Sequence, residues 1–153
     1  MTTRALLLVA ALLLAALVAP LRAAGTCTQS HQTTGNIRKV VFACTADAAD
    51  GSFPATVLTA KFEGRLLVLE TDPGSTAPTD NYDLVITNAA GADVLQGVGA
   101  NRDTTNTEQA QIVVSGTSLR PTVDETDVLT LAITNNAVNS ATVAIVLYYA
   151  LGG

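Results

Sequence analysis

Two cysteines, Cys27 and Cys44, flank the dipeptide Gly35-Asn36 in the stretch TCTQSHQTTGNIRKVVFACT. Glycine accepts a positive φ at no steric cost and asparagine tolerates one, so this dipeptide suits a two-residue hairpin turn. Thr34 then faces Ile37, and stepping outward brings Cys27 opposite Cys44. The pair closing such a hairpin is hydrogen-bonded and the types alternate, which puts the cysteines at a non-hydrogen-bonded site. Side chains approach most closely there, as the short Cβ separation of a disulfide demands. The same register sets Cys27, Gln29, His31 and Thr33 on one face with Arg38, Val40, Phe42 and Cys44. A cross-strand disulfide is the expectation, worth about 3 kcal/mol in a loop-entropy account. Metal binding would need more ligands than two cysteines and one histidine, and a reactive thiol would need an activating base.

A structural disulfide requires an oxidising compartment, and the N-terminus points to one. Arg4 precedes an apolar run from Ala5 to Val18, which leads into Pro20 and a cluster of small residues. That is the plan of a secretory signal peptide. Ala23 and Gly25 occupy the small-residue positions for cleavage after Gly25, so residues 1–25 are read as signal and 26–153 as one domain. Left uncut, the segment would be an anchor, but its run falls short of the roughly 20 apolar residues of a membrane span. The tail ATVAIVLYYALGG is also too short to span as a helix, and its β-branched and aromatic content reads as a strand. No membrane span is therefore expected after cleavage, and the localisation is secreted, periplasmic or cell-surface.

Eight basic residues less Arg4 and Arg22 leave six against thirteen acidic ones, a mature charge of about −7. Such a surface repels phosphate backbones and argues against nucleic-acid binding. Along the chain, YDLVITN alternates Tyr82, Leu84 and Ile86 against Asp83, Val85 and Thr87, the period of a strand. DVLTLAITN sets Leu129, Leu131 and Ile133 inward. TVLTAKFEG, RLLVLETD, VLQGVG and AQIVVSG read as further strands, separated by loops rich in Gly, Pro, Asn and Asp. No segment after the signal shows a helical period. The fold class is all-β: a single antiparallel sandwich or jelly-roll-like domain.

The final strand breaks strict alternation. Val143, Ile145, Leu147 and Tyr149 suit a core, yet Ala144, Val146 and Tyr148 on the opposite face are apolar too. That second face is expected to be covered either by loops of the same chain or, on the favoured reading, by another subunit, since apolar exposure of this size is a liability.

No constellation for catalysis emerges. His31 is the sole histidine, has no paired nucleophile, and lies mid-strand. There is no G-x-S-x-G elbow, and no tryptophan to make a sugar platform. The nearest thing to a ligand site is a set of acidic loop residues: Asp72, Asp80 and Asp83, then Asp93, Asp103 and Glu108. Flexible carboxylate loops are what calcium requires, although Asp and Asn at such positions ordinarily cap their own turns. Turn capping is the favoured reading, with no cofactor expected and calcium as the alternative.

The stretches TDPGSTAPTDNYDLVIT and GADVLQGVGANRDTTNTEQ, followed by a closing VAIVLYY, resemble small β-rich proteins encoded among the virion structural genes of tailed bacteriophages. The similarity runs from about Asn36 to Tyr149 and lies in the order of the motifs. It implies a non-enzymatic structural or decoration module that assembles as a symmetric oligomer, with no catalytic residues to carry over. The expected function is thus a secreted assembly module of an extracellular or envelope structure, partnering itself or another such protein. The alternative is a monomeric ligand-binding module that uses the acidic loops.

Overall fold

A computed structural model describes residues 23–59 and 63–152. The apolar run of the expected signal lies outside the described residues. Its end does not: the Ala23 carbonyl accepts the Ala48 amide at 3.1 Å, and Gly25 packs closely against Asp47, Ser52 and Pro54.

Nine strands follow: β1 (Thr26–Thr34), β2 (Ile37–Thr45), β3 (Thr56–Val57), β4 (Gly64–Pro73), β5 (Asp83–Thr87), β6 (Glu108–Gln111), β7 (Thr122–Val123), β8 (Thr130–Thr134) and β9 (Thr142–Leu151). They form two antiparallel sheets. The large one runs β1-β2-β9-β4-β6, with β7 also pairing β4, and the small one runs β3-β8-β5. No described helix is long and apolar enough to cross a membrane.

The first hairpin has the expected register throughout, from Thr34↔Ile37 to Thr26↔Thr45. Gly35 takes φ 59° while Asn36 does not turn positive, the pattern of a type II′ turn with glycine first. Cys27 and Cys44 are bonded, with Cα atoms 4.0 Å apart, as befits a non-hydrogen-bonded pair.

Core residues come from both sheets. Val40, Phe42, Leu69, Ile145 and Leu147 of the large sheet meet Leu84, Ile86, Leu131 and Ile133 of the small one in one buried cluster. The alternations expected for β5, β8 and β9 thus point as read, with Leu129 also buried.

Three segments differ from expectation. VLQGVG is a run of turns, not a strand. The Asp93 carboxylate accepts the amides of Leu95 at 2.9 Å and Gly97 at 2.8 Å, and Gln96 takes φ 57°, so local capping outcompetes extension. AQIVVSG pairs only through Gln111; Ile112 is buried, and β6 begins earlier, at Glu108. Arg120 holds that bend by donating from Nη1 to the carbonyls of Leu67 and Ile112. TVLTAKFEG pairs over Thr56–Val57, and residues 60–62 lie outside the described set.

Candidate functional site

The last of the described strands is also central to the large sheet, because β9 pairs β2 on one side and β4 on the other. Its two faces therefore see different worlds. Val143, Ile145, Leu147 and Tyr149 enter the core cluster. Ala144, Val146 and Tyr148 lie on the outer face in three successive rows: Ala43–Ala144–Asp72, Val41–Val146–Glu70 and Lys39–Tyr148–Val68. Val146 is only 8% exposed yet does not belong to the core cluster. Its row neighbours Val41 and Glu70 cover it.

Around this centre the outer face is grooved. One depression of about 340 Å³ lies on the β2 side of Tyr148, among Gln32, Ile37 and Lys39. Another of about 400 Å³ lies on the β4 side, among Leu67, Val68 and Gln109. A third, of about 420 Å³, follows the small residues Thr28, Ala43 and Ala144 toward Asp72. Burial pushes the Tyr148 phenol above its ordinary pKa, and the adjoining Glu70 carboxylate, which accepts its hydrogen bond, adds to the shift. Glu70 also accepts from Gln109 Nε2 at 2.5 Å. The three residues singled out from sequence on this face thus lie together; their partners Val41 and Ala43 carried no signal of their own until strand order was known.

The acidic candidates behave differently, and each already accepts hydrogen bonds from its own chain, some within its turn and some from distant segments. Asp83 accepts the Asn101 amide at 2.7 Å and Asn135 Nδ2 at 2.5 Å. Asp103 accepts the amides of Thr105 and Asn106 together with Asn106 Nδ2. The side-chain bond from Asn106 leads the group of bonds that hold its carboxyl below the usual range. Glu108 accepts the Asp103 amide at 2.8 Å, Asp72 accepts from the Thr107 hydroxyl at 2.7 Å, and Asp80 accepts from Asn81 Nδ2 at 3.1 Å. Among the described residues no group of three or more His, Cys, Asp or Glu side chains is placed to hold a metal ion. Calcium ligation by this set would require these turn bonds to be exchanged.

One polar cluster had no precedent in the sequence reading. Arg102 is only 5% exposed; its Nε donates to the Thr71 hydroxyl at 3.0 Å and pairs with Glu108 at 3.2 Å. Its Nη1 reaches the Val98 carbonyl at 3.2 Å. Its backbone bridges Tyr82, whose buried phenol is raised above its ordinary pKa mainly by desolvation. The cluster pins the 93–107 segment against β4 and β5, a positioning role. Comparison with family models, with curated proteins and with solved structures finds no match to this chain.

Proposed function

We propose that the chain is a secreted, non-enzymatic structural module, a jelly-roll-like sandwich of decoration type that works by assembly in an extracellular or envelope structure. The observation that supports this most is the pair of depressions that flank Tyr148 on the outer face of the large sheet, beside Val146, which its own neighbours already shield. A concave, partly apolar face with an aromatic side chain at its centre suits a subunit contact. The acidic loops support the ligand-binding alternative less, because their carboxylates already cap turns.

The test is the mass of the oxidised protein in solution, read by light scattering after size exclusion, with and without Val146→Asp. The expected result is a defined oligomer whose mass falls in the variant while its circular dichroism is kept. An unchanged mass would retire the outer face as the contact.

A further inference from the structure

Sheet edges offer unpaired backbone groups to any other strand, and folded proteins ordinarily blunt them. Three of the edges here are blunted. The outer edge of β5 is covered by the segment that follows it: Leu84 donates to the Gly99 carbonyl at 2.8 Å, Val94 donates to Ile86 at 2.8 Å, and Arg102 donates to Tyr82 at 2.8 Å. β3 is two residues long, and its Val57 carbonyl is taken by Gln29 Nε2 at 2.7 Å. β6 is four residues long and carries Glu108.

β1 is the exception. It runs for nine residues along the margin of the large sheet. From Thr26 to Thr34 it contains no proline, glycine, lysine, arginine, aspartate or glutamate, and its register with β2 has no bulge. Because Thr34–Ile37 closes the hairpin as a hydrogen-bonded pair, Cys27, Gln29, His31 and Thr33 fall in the alternate pairs. Their N–H and C=O groups point away from β2. Among the described residues no backbone hydrogen bond reaches these four from outside the hairpin. The Cys27–Cys44 bond holds the strand to its neighbour, so the edge is preorganised.

We infer that this edge pairs with β1 of a second copy of the chain, antiparallel about Ser30, joining two large sheets into one. Several observations select the occupant. An antiparallel partner matches donors to acceptors only if the outward residues of both copies face each other, so the twofold axis must pass through a residue. Ser30 is the midpoint of Thr26–Thr34, and centring there engages the whole strand. Gln29 then faces His31 of the other copy and Cys27 faces Thr33, giving about eight new backbone hydrogen bonds. The chain is acidic, yet this edge carries no Asp or Glu, so two copies meet here without like charges opposed. A twofold axis normal to the sheet also keeps both outer faces on the same side. The inference extends the assembly reading to a second surface and does not depend on the outer face.

The register makes a prediction that a merely sticky strand would not. Ser30 meets Ser30 of the other copy at a non-hydrogen-bonded site, where cysteines can bridge. Gln32 meets Thr28. Under mild oxidation, Ser30→Cys is expected to give a covalent dimer on a non-reducing gel while Gln32→Cys stays single. Separately, His31→Pro removes an outward N–H and no hairpin bond, and is expected to halve the mass of the wild-type assembly in light scattering with the Cys27–Cys44 bond intact. Failure of Ser30→Cys to link above the Gln32→Cys level, or an unchanged mass in His31→Pro, would overturn the pairing. If His31→Pro changes the mass and Val146→Asp does not, the edge stands and the face falls. The reverse pattern overturns the edge and keeps the face.

Discussion

Along β5, Leu84 and Ile86, with Tyr82 just before them, give their outward backbone groups to the segment that follows them in sequence. Along β1, Gln29, His31 and Thr33 have outward groups that nothing within the described chain meets. The two margins are also held by different forces. The β5 margin rests on side-chain chemistry: Asp93, Asp83 and Asp103 cap the turns of the covering segment, and Arg102 is buried beneath it. The far half of β1, from Ser30 to Thr34, is exposed at every residue, so its order comes from the β2 ladder and a covalent bond. A margin closed from within needs much local sequence. A margin kept open needs only a rigid strand and little burial.

The largest effect should come from the open margin. Replacing both cysteines by alanine removes a bridge worth about 3 kcal/mol, and Cys44 is 2% exposed, so urea unfolding should show that loss or slightly more. Next is Gly99→Ala at the closed margin. A Cβ there would run into the Leu84 carbonyl, so the covering segment must lift from β5, at about 2–3 kcal/mol. Its signature is new hydrogen exchange at Leu84 with the β1–β2 amides unaffected; exchange in both regions would mean that the two margins are not independent. Asp93→Ala leaves the amides of Leu95 and Gly97 without their acceptor and should cost about 1 kcal/mol in the same assay.

The smallest effect is one of pH. Bonds from Asn106 and Thr105 hold Asp103 below the free-aspartate value of 3.8, and bonds from Thr126 do the same for Asp124. A carboxyl with a lowered folded pKa adds stability that is whole above the unfolded value and is lost as pH falls through the folded one. Amide shifts of Thr105, Asn106 and Thr126 should therefore titrate with midpoints below 3.8. The β1 and β2 amides should stay flat, since neither strand contains an acid.

Legibility follows the same division. The hairpin and its disulfide are readable because a turn dipeptide and two cysteines set the register locally. β5, β8 and the inner face of β9 follow from alternation against one core. The covering segment misleads: Val94 and Leu95 are buried like strand residues, but Asp93 draws the backbone into turns first. Arg102 is opaque because it sits in a polar run whose look is that of a solvated loop, and its partner Thr71 is thirty-one residues away. Alternation does put Ala144, Val146 and Tyr148 on a shared face. That Val41 and Ala43 complete it, and that β1 is an edge, depends on strand order, which no local pattern encodes.

Strand order also governs how this molecule can fold. β9 follows the other eight described strands in sequence, and it is the one that joins β2 to β4. Until β9 docks, β2 and β4 have no common neighbour, and the inner faces of both sheets lack Val143, Ile145 and Leu147 to pack on. The large sheet therefore closes through contacts of high sequence separation, which form slowly. The hairpin can form early, but the sheet it belongs to cannot close until β9 arrives.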